Sequence, residues 1–185
     1  MNIKHSLLTL VSILITGQLL FAGEYQEQNN YDLYSYQGNA KIPQPNEKYP
    51  IGPDEILTPG DVCDFGKTRR YPEGITYCER DVHTELKREI IKEYDRERNF
   101  KIQTMDRQKF KIDHYIPLCM GGSNEKVNLW PQHESVYVIT DSLEQQLCEK
   151  MAAGQLIQVK AIELIKKAKN DLSSAQAILH QIDTL

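Results

Sequence analysis

The chain has 185 residues, with 22 Lys and Arg against 26 Asp and Glu and a formal net charge of −4. Hydrophobic residues at 40% and charged residues at 26% exclude a fibrous or wholly disordered chain. The acidic balance excludes a protein that coats nucleic acid by charge alone, so any action on nucleic acid requires a local site.

Residues 1–22 read as a secretory signal. Lys4 supplies a short positive start, Leu7 to Phe21 is an apolar run, and Ala22 and Gly23 are small residues at its exit. The run is shorter than the roughly 20 residues that span a bilayer. Cleavage is therefore expected, with a secreted or periplasmic product and no stable membrane association afterwards. Without residues 1–22 the net charge becomes −5, since Lys4 is the one charged residue removed.

Export changes how the four cysteines read. Cys63, Cys78, Cys119 and Cys148 contain no C-x-x-C pair, which disfavours a zinc ribbon. In an oxidising compartment an even count suggests disulfides. Cys63 and Cys78 bracket a loop with Gly66, Pro72 and Gly74 and are the expected bridge, contributing about 3 kcal/mol by chain entropy. Cys119 and Cys148 are either a second bridge or two buried thiols.

Residues 23–60 read as an extended or disordered tether rich in Pro, Gln, Asn and Tyr. Tyr25, Tyr31, Tyr34, Tyr36 and Tyr49 are either a binding strip or plain linker composition. The folded domain is expected over residues 61–185. Leu86, Ile90, Ile91 and Tyr94 mark one face of a helix over 83–95. Phe110 to Leu118 reads as a strand ending at Pro117, Gly121-Gly122-Ser123-Asn124 as a turn, and Asn128-Leu-Trp-Pro as a short extended piece. Val136, Ile139 or Thr140, Leu143, Leu147 and Met151 define the next helix, stopped by Gly154. A third helix places Leu156, Val159, Ile162 and Ile165 inward and Lys160, Lys166, Lys167 and Lys169 mostly outward. Residues 171–182 form a last helix or a frayed end.

The informative stretch runs from Lys111 to His133. It joins Asp113-His114 at a strand end, a glycine turn, Asn128 and His133. Phosphodiester hydrolysis needs a base to activate water and positive charge on the scissile phosphate. A His is the natural neutral base near pH 7, and a carboxylate beside it suits a hard divalent cation. Adjacent strand residues point to opposite faces, so both serve one site only where the strand ends or twists.

Asp-His-Tyr-Ile-Pro-Leu, Gly-Gly-Ser-Asn and Asn-Leu-Trp-Pro-Gln resemble the motifs of HNH nucleases, in particular an exported bacterial branch. The resemblance implies an α+β fold in which a small ββα-metal core is embedded among helices. It implies His114 as general base, Asp113 as metal ligand, and Asn128 as the brace of the loop that orients His114. The family's His on the following helix, about nine residues after that Asn, is Tyr137 here. His133 and then Asp141 are the candidates for the remaining ligand. One divalent cation is implied, Mg²⁺ first, with Mn²⁺ or Zn²⁺ as alternatives.

Between Arg80 and Lys111 stand ten basic and seven acidic residues, a local excess of three positive charges. Arg107, Lys109 and Lys111 lie nearest the motif and are the candidate phosphate contacts. No base-reading motif is visible. The expected function is an exported, metal-dependent endonuclease of little sequence specificity, with DNA as the expected substrate and RNA as the alternative. The alternative is a nonenzymatic envelope or interaction module on the same scaffold. A zinc hydrolase of another kind lacks its H-E-x-x-H spacing.

Overall fold

A computed structural model describes residues 41–185; the expected signal and the first part of the tether lie outside them. Helices and two small antiparallel sheets mix in an α+β arrangement. In chain order the elements are β1 (Thr68–Arg70), β2 (Ile75–Tyr77), α1 (Thr84–Arg98), β3 (Phe110–His114), β4 (Leu129–His133), α2 (Glu134–Ala152), α3 (Gln158–Asn170) and α4 (Ala175–Asp183). β1 pairs with β2, and β3 with β4. Among the described residues no helix is long and apolar enough to cross a membrane.

Helix α1 begins where His83 accepts a hydrogen bond from the Leu86 amide and ends at Asn99, which takes a left-handed conformation. Its buried stripe is Ile90, Ile91 and Tyr94. Helix α2 buries Val136, Ile139, Thr140, Leu143, Leu147 and Met151, the expected face, and Gly154 at φ +71° follows its end. Helix α3 is rotated from its expected phase. Ala161, Leu164, Ile165, Ala168 and Lys169 face inward, while Val159 is exposed. The two alanines let the helix approach closely, and Lys169 enters the interior because three acceptors await it there. Trp130 is fully buried between the strands and helices as a core anchor.

Both cysteine pairs are bridged, Cys63 to Cys78 and Cys119 to Cys148. The first closes the β1–β2 hairpin; the second ties the loop after β3 to α2. Disulfides of this kind are compatible with an extracellular or periplasmic setting.

The tether expectation changes over residues 46–60. They carry no helix or strand, yet they lie against the domain. Thr58 is fully buried, and its hydroxyl meets the Tyr94 hydroxyl at 2.7 Å and donates to the Leu129 carbonyl at 3.0 Å. Tyr49 stacks on His133 with ring centroids 4.0 Å apart. Asp54 pairs with Arg98 of α1. A Pro-rich stretch without periodicity thus docks through single side chains, which a search for repeating patterns misses.

The Asp54 contact gives a pH test. Hydrogen bonding to Arg98 holds the Asp54 carboxyl down at about 2, below its ordinary 3.8. The stabilisation is complete above the unfolded-state value and is lost as pH falls through the folded value. Asp54→Asn keeps the acceptor for the Ile56 and Leu57 amides but drops the charge. Its melting temperature should fall below wild type at pH 6, and the gap should close between pH 4 and 2. A gap independent of pH would show that the ion pair contributes nothing.

Candidate functional site

Residues Lys111 to His133 fold as strand, loop and strand, and α2 follows directly. The register sets Phe110 opposite His133, Asp113 opposite Trp130 and His114 opposite Leu129. The strand ends at His114, earlier than Pro117, because the chain turns there into the loop that Asn128 holds. Asn128 is fully buried, accepts from the Ile116 amide at 2.8 Å, and donates to the Ile116 and Ser123 carbonyls at 3.0 and 2.9 Å. Gly122 completes the closure: a Cβ there would lie 1.8 Å from the Ile116 carbonyl oxygen. Asn128 therefore braces the loop, and its hydrogen bonds go to Ile116, Ser123 and the Asp61 amide and not to the His114 ring.

That ring is held by Asn124 and Arg80. Asn124 Nδ2 donates to the Glu79 carbonyl at 2.6 Å, and its Oδ1 accepts from the Asp81 amide at 3.1 Å. The amide orientation is thereby fixed, so Oδ1 is also the acceptor for His114 Nε2 at 3.1 Å. His114 is then the Nε2–H tautomer, and its Nδ1 lone pair accepts from Arg80 Nη1 at 3.2 Å. Arg80 Nη2 donates to the Ile112 carbonyl at 2.9 Å. Burial pushes the His114 pKa down to about 4, against the opposing pull of Asn124 and Asp113. The imidazole is neutral at pH 7, with one basic nitrogen lying beneath an exposed guanidinium.

Asp113 points the other way, towards α2 and α3, as alternation along a strand requires. Its Oδ2 accepts from Lys169 Nζ at 3.0 Å, and Lys111 Nζ lies 3.6 Å from its Oδ1. Lys111 also reaches both oxygens of Asp141 at 2.7 and 2.8 Å. Lys169, with no exposed surface, donates further to the His114 carbonyl at 2.6 Å and to Glu144 at 3.3 Å. Three carboxyls thus surround two ammonium groups. Burial pushes the Asp113 carboxyl up, but Lys169 and Lys111 outweigh it and hold it below the usual carboxylate range. Burial pushes the Asp141 and Glu144 carboxyls up.

The structure brings Asp113 and Asp141 together through Lys111 and leaves His133 elsewhere. His133 caps α2, accepting from the Ser135 amide at 3.2 Å, with its ring between Tyr49 and Phe110. Its place in the register, opposite Phe110, lies three residues along β3 from Asp113. Tyr137 has the Lys111 ammonium 5.0 Å from its ring centre. Hard carboxylate oxygens are the right donors for Mg²⁺ or Mn²⁺. As arranged, however, these oxygens face Lys111 and Lys169, and the residues do not fit a divalent cation. Among the described residues no group of three or more His, Cys, Asp or Glu is placed to hold a metal ion.

The three candidate phosphate contacts also separate. Lys109 pairs with Glu134 at 3.0 Å, Lys111 with Asp141, and Arg107 is exposed and donates to the Phe110 carbonyl. Sequence reasoning missed Arg80, Asn124, Glu144 and Lys169. Asn124 stood in the recognised turn cluster, so a polar residue adjoining the His offered a signal; Lys169 offered none. Comparison with family models, curated proteins and solved structures found no match.

Proposed function

We propose that the chain is an exported HNH-type endonuclease that hydrolyses phosphodiester bonds, DNA ahead of RNA, with His114 as general base. One observation carries the reading. A neutral imidazole of fixed tautomer sits at a strand end with its basic lone pair covered by a single exposed arginine. Arg80 is the natural ligand for a substrate phosphate, because a guanidinium binds phosphate oxygens through paired donors. When Arg80 moves onto the phosphate, Nδ1 becomes free to take a proton from water. The water oxygen attacks phosphorus, the bond to the leaving oxygen breaks, and Arg80 stabilises the charge that builds on the phosphoryl oxygens. The family resemblance, with Asp113 and Asn128 in matching positions, supports the same reaction class. No step is assigned to a metal ion.

A second reading keeps the scaffold without the chemistry. The ammonium groups on Asp113 and the occupied ring nitrogens of His114 favour it.

The test incubates residues 23–185 with plasmid DNA and with RNA, in Mg²⁺, in Mn²⁺ and in EDTA, beside His114→Ala. Cleavage should fall by about 10²–10⁴-fold in the folded variant. Activity in EDTA would assign the cation role to the protein's own side chains; activity restored only by metal would mean that an ion displaces them. Folded wild type inactive throughout would favour the interaction module, and equal cleavage by both proteins would remove His114 as the base.

A further inference from the structure

The ten basic residues between Arg80 and Lys111 do not act alike, and their pairing separates them. Arg96 and Arg98 pair with Glu97 and Asp54, and Lys109 and Lys111 with Glu134 and Asp141. Lys87, Arg88 and Lys92 of α1 have no acidic partner among the described residues. The acids of α1 are engaged elsewhere. Glu89 and Glu93 hold Lys126 at 2.9 and 3.2 Å, and Asp95 accepts from the Ile102 and Gln103 amides. The three free cations border a groove of about 410 Å³, whose other bank carries Arg107 and whose lining includes the buried side chains of Ile91 and Ile102.

We infer that this groove is the docking site for the phosphodiester backbone of a nucleic acid. The inference rests on the nuclease reading and gives its substrate a path. Four cations on two banks offer a polyphosphate chain several points of positive charge. The lining has no aromatic ring on which a base would stack, so the contact is to backbone and independent of sequence. An anionic membrane is the poorer match, because Ile91 and Ile102 are buried and project nothing that would insert into lipid. Arg107 is followed by the strand that ends at His114. The five residues of β3 span about 17 Å, so a bound strand has a short course from groove to base.

The experiment measures binding without cleavage. His114→Ala protein in EDTA is titrated into a labelled single-stranded 20-mer and into the duplex, by fluorescence anisotropy, across a salt series. Lys87→Gln/Arg88→Gln/Lys92→Gln should weaken binding at least tenfold. It should also flatten the slope of log K against log salt by about 2 for the single strand, as expected for three lost phosphate contacts. Lys150→Gln/Lys160→Gln/Lys167→Gln, which removes the same charge from elsewhere, should bind as the parent does. Circular dichroism verifies that each variant is folded. Equal losses in the two triple variants would reduce the effect to net charge and overturn the groove. So would binding unchanged by the first variant, no binding by the parent, or tighter binding to phosphatidylglycerol vesicles than to either oligonucleotide. Because cleavage is not read, an inactive wild type that binds through the groove would sink the nuclease reading alone.

Discussion

Lys169→Met is expected to destabilise the domain by about 3–5 kcal/mol, the range for removing one partner of a buried ion pair. The Lys169 ammonium is inaccessible to water and donates to three acceptors, Asp113, the His114 carbonyl and Glu144. Methionine fills much of the stem's volume but leaves those acceptors facing an apolar end. Lys111 still lies near Asp113, yet at 3.6 Å and already committed to Asp141. Asp113→Asn/Glu144→Gln in the Lys169→Met background should recover part of the loss, because neutral amides cost less to bury than unpaired carboxylates. Urea denaturation of the three proteins measures both quantities. A loss under about 1 kcal/mol, the value of an exposed pair, would mean that water reaches the cluster. The consequence for function is positional. Lys169 fastens α3 to the end of β3, so its removal frees the backbone that carries His114.

The sequence made the local parts of this site legible and hid the long-range ones. The order strand, loop, strand, helix followed from the glycine turn, Asn128 and the apolar spacing of α2. Cys63–Cys78 followed from a short loop in a chain whose start reads as a secretory signal. The β1–β2 hairpin inside that loop escaped, because three-residue strands reading Thr-Arg-Arg and Ile-Thr-Tyr show no alternation to detect. His133 misled through proximity in sequence. Antiparallel register carries it to the opposite end of β3 from His114, and Tyr49, from a stretch read as tether, stacks on its ring. Lys169 misled through its type. A lysine is placed outside by default, and only the convergence of β3, α2 and α3 supplies the acceptors that let it be buried. Asn128 and Asn124 illustrate the remaining gap. Both belong to the motif stretch, but which of the two meets the imidazole depends on the path of a loop whose shape Gly122 and three Asn128 hydrogen bonds determine.

Asn124→Ala is expected to lower the proposed cleavage rate by about 10²-fold while the domain stays folded, at the lower end of what positioned base catalysis supplies. Asn124 acts through its neighbours. Its Oδ1 accepts the His114 Nε2 proton, and that bond keeps the basic lone pair on Nδ1 when Arg80, which donates to Nδ1 in the free protein, moves onto the phosphate. Its Nδ2 fastens Glu79, one residue before Arg80. Alanine removes the acceptor, so once Arg80 leaves Nδ1 the imidazole is free to carry its proton there, where it presents a donor to the attacking water. Asn124→Asp retains an acceptor for Nε2 but turns an oxygen towards the Glu79 carbonyl. It should keep the tautomer, lose the tie to the Arg80 segment, and retain more turnover than Ala. Ring nitrogen chemical shifts of ¹⁵N-labelled His114, read with Arg80→Ala in every protein compared so that no donor holds Nδ1, separate the two effects without any turnover. The parent and the Asp variant should show protonated Nε2 and bare Nδ1, and the Ala variant a mixture. An unchanged tautomer in Asn124→Ala would remove Asn124 as the positioning residue, even if cleavage fell. A shifted tautomer with full cleavage would instead show that Nδ1 is not the nitrogen that takes the proton.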